Sequence, residues 1–281
     1  MRDDIPTVTF ASGITVPAIG IGTWKMGEDA ANVANEIRSI QAAIDLGIRV
    51  VDTAEMYADG ASEKIVGAAI EGRRDEVFLV SKVYPWNASV SGVQQACERS
   101  LTRLGTEQID LYLLHWRGDI ALEETVAGME TLRERGLIKS WGVSNFDVED
   151  MQELLAIPGG ENCAANQVLY NADRRGIEFD LLPWHQQHAM PLMAYSPLGQ
   201  GELLRHPEVI RLAKAYQASP AQVALAFVLE RDNVLAIPKT AKPERVAELL
   251  ATLDLDITDE DWAEFDRAFT PPSRKVPLET I

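Results

Sequence analysis

Between residues 18 and 250 the chain alternates short β-branched runs with longer segments of helical period, a pattern that admits few folds because each parallel strand needs a crossover before the next. Strands are read at Ala18 to Ile21, Ile48 to Val51, Val77 to Val80, Ile109 to Leu114, Ile138 to Val143, Ala164-Ala165, Leu192 to Tyr195 and Val234 to Ile237. Between them lie helical faces: Ile37, Ile40 and Ile44 before Gly47; a helix near residues 62 to 71; Val93, Ala96, Cys97, Leu101 and Leu104 before Gly105; and Leu122, Val126, Met129 and Leu132 before Gly136. Asp147 with Asp150 can cap a fifth helix, and Ser219-Pro220-Ala221-Gln222 opens another over Val223 to Leu229. Eight such units predict a (β/α)8 TIM barrel. An N-terminal β-hairpin (Thr7 to Phe10 and Ile14 to Val16, around Ala11-Ser12-Gly13) precedes it, and an extra C-terminal helix, opened by Thr258-Asp259-Glu260, follows. No linker or low-complexity stretch interrupts the pattern, so residues 1–281 read as a single domain.

Composition narrows the function classes. A formal net charge of −17 repels nucleic-acid backbones and anionic membrane surfaces. No run approaches the ~18 apolar residues of a membrane span. Only Cys97 and Cys163 are present, and Met1-Arg2-Asp3-Asp4 lacks the apolar core of a signal peptide, which makes a reducing cytoplasm the expected setting.

A parallel barrel builds its active site where its strands end. Strand 2 runs into Asp52 and then Tyr57, strand 3 ends at Ser81-Lys82, and strand 4 ends at His115-Trp116. Later strands add Ser144-Asn145, Asn166-Gln167, Ser196 and Lys239-Thr240. Taken singly, Asp52 and Lys82 could be a structural ion pair, His115 a satisfied histidine, and Tyr57 a packing residue. Together, at the catalytic ends of three successive strands, they fit carbonyl reduction, which needs a proton donor at oxygen while hydride arrives at carbon. Tyrosine is a poor acid at neutral pH, but a nearby ammonium lowers its pKa, and a carboxylate keeps that ammonium placed and charged. Lys82 and Asp52 fit those roles, and His115 could orient the carbonyl oxygen.

These residues resemble the aldo-keto reductase family over nearly the whole chain. The resemblance is carried by Gly20-Ile21-Gly22-Thr23-Trp24, Asp52-Thr53-Ala54 with Tyr57, Ser81-Lys82, Leu114-His115-Trp116, Trp141 to Phe146, Asn166-Gln167, Ala194 to Leu198 and Ile237-Pro238-Lys239-Thr240. It implies a catalytic tetrad of Asp52, Tyr57, Lys82 and His115, with NADPH bound across the barrel mouth. By the same resemblance, Ser144, Asn145 and Gln167 hold the nicotinamide carboxamide and Tyr195 stacks on its ring. Gly22, Thr23, Trp24 and Asp52 lie along the nicotinamide side, while Ser196 and Leu198, with Gly199-Gln200-Gly201, form a short pyrophosphate-covering loop. Ile237, Lys239, Thr240 and Arg245 serve the 2′-phosphate end, with Glu248 near the adenine. Leu249 and Arg117 depart from the residues often found at those places.

The same family likeness suggests a monomer acting on small carbonyl compounds. Trp24, Tyr57, Trp86, His115 and Trp116 would line a narrow pocket, and the segment Val83 to Asn87 looks like that of bacterial members reducing methylglyoxal and other 2-oxoaldehydes, with diketo-gluconate-type sugars as a further option. Two other readings stand beside this one: a class I aldolase using a Lys82 Schiff base, and a non-catalytic NADPH-sensing barrel. The glycines at 20 and 22 lack the third glycine of a Rossmann fingerprint. His185 and His188 lack a third ligand, so they read as a helix surface and no metal is assigned. Cys97 and Cys163 read as small buried side chains.

Overall fold

The computed structural model describes residues 5–10 and 13–281. Strands β1 (Thr7–Thr9) and β2 (Thr15–Pro17) form the expected antiparallel hairpin, with Val8 opposite Val16; Ala11 and Ser12 of its turn lie outside the described residues. Eight parallel strands follow: β3 (Gly20–Gly22), β4 (Val50–Asp52), β5 (Phe78–Val83), β6 (Ile109–Leu114), β7 (Ile138–Ser144), β8 (Cys163–Leu169), β9 (Leu192–Tyr195) and β10 (Val234–Ile237). They are hydrogen-bonded in sequence order, and the sheet curls shut where Ile19 bridges Ala236 and Gly22 N–H donates to Pro238 O at 2.9 Å.

Alternation along the strands separates two cores. Val50, Val80, Leu111, Leu113, Ala165, Met193 and Leu235 fill the barrel, while their neighbours Val51, Leu79, Tyr112, Leu114 and Val168 face the helices. The hairpin plugs the end where the strands begin, since Val8, Phe10 and Val16 join the inner core and Phe10 stacks on Phe78, the first residue of β5, at 5.2 Å between ring centroids. Only the opposite end is left for a ligand.

The helices are α1 (Val33–Asp45), α2 (Ala61–Ile70), α3 (Val90–Leu104), α4 (Leu122–Glu134), α5 (Val148–Ala156), α6 (Leu181–Gln187), α7 (Pro207–Ala215), α8 (Pro220–Leu229), α9 (Val246–Leu250) and α10 (Asp259–Ala268). Asp147 and Ser219 each make the reciprocal capping bonds expected of them, and Gly105 closes α3 in the left-handed conformation at φ 63°. The third strand runs through Lys82 to Val83, and the sixth is seven residues rather than the two read from its small-residue start. Among the described residues no helix is long and apolar enough to cross a membrane.

Candidate active site

Strand parity delivers three of the four residues. Asp52 continues the inward positions of Val50, Lys82 those of Phe78 and Val80, and His115 those of Leu111 and Leu113, so three polar side chains crown an apolar barrel interior. Tyr57 reaches the same place from the short turn after β4, in which Ala58 and Asp59 take left-handed φ values of 49° and 50°.

Lys82 is fully buried, and its ammonium uses three donors on three acceptors: Asp52 Oδ2 at 2.7 Å, Thr53 O at 2.9 Å and Tyr57 Oη at 3.0 Å. Burial pulls the Lys82 pKa down, but Asp52 and Tyr57 outweigh it and the net direction is up, so the amine stays charged. For Tyr57, burial raises the phenol's pKa and outweighs Lys82, which lowers it as expected, so the net direction is up. The hydroxyl is therefore protonated at neutral pH, the state required of a proton donor. His115 is held neutral, its pKa pushed down to about 2 by burial and by the Lys82 charge, and its ring packs edge-on to Tyr57 at 5.8 Å. His115 Nδ1 is buried without a hydrogen-bond partner among the described residues.

Asp52 Oδ1 accepts from Gln167 Nε2 at 2.8 Å, which ties the tetrad to the far side of the barrel. Ser144 Oγ donates to Gln167 O at 2.8 Å, Asn145 Nδ2 to His115 O at 3.2 Å, and Tyr195 Oη to Asn145 Oδ1 at 2.9 Å. Thr23 Oγ1 donates to Asp52 O at 3.0 Å. Ser196, with φ 50°, follows β9, and Leu198 packs against the outer core. At the end of β10, Lys239 and Arg245 are exposed with Lys242, and none of the three is ion-paired among the described residues; Thr240 is buried between them and Glu248 is half-buried on α9. The array suits a dinucleotide phosphate: amide groups at the tetrad end, and unpaired cations at the other in a chain of net charge −17.

Of the pocket aromatics, Trp116 stands 4.9 Å from His115 and 5.8 Å from Trp86, while Trp24 and Trp86 are 36% and 62% exposed at the rim. Tyr84, which the sequence reading left out of the wall, stacks on Trp86 at 4.1 Å. Thr53 was also missed, because its contribution is a backbone carbonyl that no side-chain motif announces. Arg117 pairs outward with Asp150 and Glu153 on α5, and Leu249 is buried in the outer core.

His185 is not on a helix surface. It lies one turn after Leu181 on the buried face of α6, 1% exposed, with Nδ1 at 3.3 Å from Met190 O and Nε2 at 3.3 Å from Asn166 Nδ2. Asn166 Nδ2 also donates to Phe146 O at 2.8 Å, bracing the loop in which Asn145 takes φ 59°. His188 is exposed and stacks on Trp184. Cys97 and Cys163 are buried thiols, each pushed up to about 12 by burial.

A model of the aldo/keto reductase family matches residues 18–269. The methylglyoxal reductase YeaE of Escherichia coli (strain K12) is 50% identical over 279 residues, 98% of each chain. A crystal structure of an aldo-keto reductase from Klebsiella pneumoniae in complex with NADPH is 52% identical, covers 99% of both chains and superposes with a TM-score of 0.96. A second from that organism, in complex with NADP and acetate, is 52% identical with a TM-score of 0.95, covering 98% of this chain and 99% of the other.

Proposed function

Because the chain belongs to the aldo/keto reductase family, we propose that it reduces small 2-oxoaldehydes such as methylglyoxal, with the proton delivered by Tyr57. The broader activity is NADP-dependent carbonyl reduction. Bound NADPH supplies the hydride that reaches the carbonyl carbon.

The protein's own residues supply position and a proton. The neutral His115 imidazole orients the carbonyl oxygen toward the Tyr57 hydroxyl, which gives up its proton as charge develops on that oxygen. Lys82 stabilises the tyrosinate left behind, and Asp52 keeps Lys82 charged and in place. Ser144, Asn145 and Gln167 would hold the carboxamide, Tyr195 the nicotinamide face, and Gly22, Thr23, Trp24 and Asp52 the adjoining ribose region. Ser196 and Leu198 would cover the pyrophosphate, while Ile237, Lys239, Thr240, Arg245 and Glu248 would take the adenosine phosphate end.

The Lys82–Tyr57 hydrogen bond at 3.0 Å carries this reading of the acid. The same ammonium speaks against the aldolase, since a charged lysine spent on three acceptors is a poor nucleophile. For the substrate, the 50% identity to a methylglyoxal reductase and the aromatic rim give support. A panel of small aldehydes, ketoses, keto-sugar acids and steroid ketones with NADPH, ranked by kcat/KM, tests it. Methylglyoxal or a similarly small aldehyde should lead; preference for steroid ketones over every small aldehyde overturns the substrate proposal. Tight NADPH binding with no turnover across the panel would instead favour the sensor.

A further inference from the structure

We propose that Glu55 is a positioning residue that shapes the substrate pocket by clamping the turn that carries Trp86, an inference that rests on the reductase reading of the site. Glu55 stands two residues before Tyr57 and is 8% exposed, so its carboxylate needs partners. It finds them on the loop after β5. Oε1 accepts from Tyr84 N–H at 2.8 Å and from Asn87 Nδ2 at 3.0 Å, the two ends of a turn that Asn87 N–H closes onto Tyr84 O at 3.0 Å. From the other side the loop after β6 presses on this turn, since a Cβ built on Gly118 would meet Pro85 Cβ at 2.6 Å.

Between the two supports the turn holds out Trp86, which is 62% exposed and therefore not anchored by its own burial. The Trp86 ring stacks on Tyr84 and meets Trp116 edge-on, and Trp116 lies against His115. One carboxylate thus links the segment bearing Tyr57 to the aromatic wall. Its charge matters less than its lone pairs: the cation that pairs with it among the described residues, Arg99, is 3.7 Å from Oε2 and its side chain is 48% exposed, whereas the two neutral donors sit at hydrogen-bond distance. An amide oxygen can accept the same two bonds.

The test compares Glu55→Ala, Glu55→Gln and Asn87→Ala in the full chain with NADPH, using whichever small aldehyde the panel shows to be turned over. Loss of the clamp removes binding shared by ground and transition states, so Glu55→Ala should raise KM by about 10-fold with kcat and NADPH affinity within about 2-fold of wild type. Asn87→Ala should give a smaller rise, and Glu55→Gln should behave as wild type. Added to Trp86→Ala, Glu55→Ala should raise KM no further, because both act through one wall. Acrylamide quenching of tryptophan emission, which needs no substrate, should increase in Glu55→Ala, stay unchanged in Glu55→Gln, and show no increase in a Trp86→Phe background. Unchanged KM and quenching in Glu55→Ala overturn the proposal, as does a fall in kcat at constant KM or a Gln variant as impaired as the Ala variant. If Glu55→Ala does not fold, the other two variants decide: a wild-type Glu55→Gln with a raised KM in Asn87→Ala upholds the clamp, and any other pairing rejects it. Failure of methylglyoxal as substrate leaves the quenching result standing, so the two readings fail separately.

Discussion

The Lys82 ammonium lies 3.0 Å from the Tyr57 hydroxyl and 4.7 Å from the centre of its ring, inside a site where burial alone would push the phenol's pKa up. The two effects oppose each other. In the proposed mechanism, burial would keep the proton on Tyr57 until a carbonyl oxygen takes it, and Lys82 would limit the cost of the anion that remains.

Tyr57→Phe keeps the ring and removes the donor. NADPH affinity should stay near wild type while turnover falls by roughly 100- to 10,000-fold, the usual size of a general-acid contribution. Single-turnover fluorescence of bound NADPH measures this, and near wild-type turnover with hydride transfer rate-limiting would sink the mechanism.

Lys82→Met removes the group that lowers the Tyr57 pKa, leaving burial unopposed. Oxidation of the product alcohol requires tyrosinate, so the rising limb of its pH–rate profile should move to higher pH in the variant. A profile that stays in place would separate Lys82 from Tyr57.

Arg245→Ala tests the phosphate end. A charge-assisted hydrogen bond lost to a 2′-phosphate costs about 1.5–3 kcal/mol, so NADPH should weaken roughly 10- to 100-fold while NADH changes little. Calorimetric titration with both cofactors gives the ratio, and an unchanged ratio removes Arg245 from the assignment.

Trp86→Ala opens the rim. Larger aldehydes should gain in kcat/KM relative to methylglyoxal, and an unaltered size preference would remove Trp86 from the wall.

Buried histidines make stability fall in acid. His185 is held at about 4 and His115 at about 2, both below the ordinary value of 6.5, so the unfolded chain takes up protons that the folded chain refuses. Both contributions are complete above pH 6.5; as pH falls, that of His185 is lost down to about 4 and that of His115 down to about 2. Each proton adds a slope of about 1.4 kcal/mol per pH unit within its window. Urea melts of wild type and His185→Gln should show a shallower decline in the variant; parallel declines would contradict the burial of a neutral His185.

The legible part of this protein follows from periodicity. Strand and helix repeats differ in period, so the order of units, the hairpin, the caps at Asp147 and Ser219 and the polar residues at strand ends can all be read along the chain. Strand parity then places Asp52, Lys82 and His115 on one inner surface, because alternate side chains of a strand share a face. His185 marks the limit of that reading. A seven-residue helix whose apolar residues all fall in its first turn is too short for its period to show that His185 is covered, and the partner, Asn166, is 19 residues away.

What the sequence determined by itself is the barrel and the identity of the groups at its mouth, since both depend on local pattern and local spacing. What the tertiary structure alone decided is their electrical and mechanical state. Whether the Tyr57 phenol is raised or lowered depends on how completely water is excluded and on the angstroms separating it from Lys82. Whether Glu55 idles or clamps depends on where the loop after β5 comes to rest. Both are balances between groups far apart in the chain, and only closure of the barrel brings those groups within range of one another.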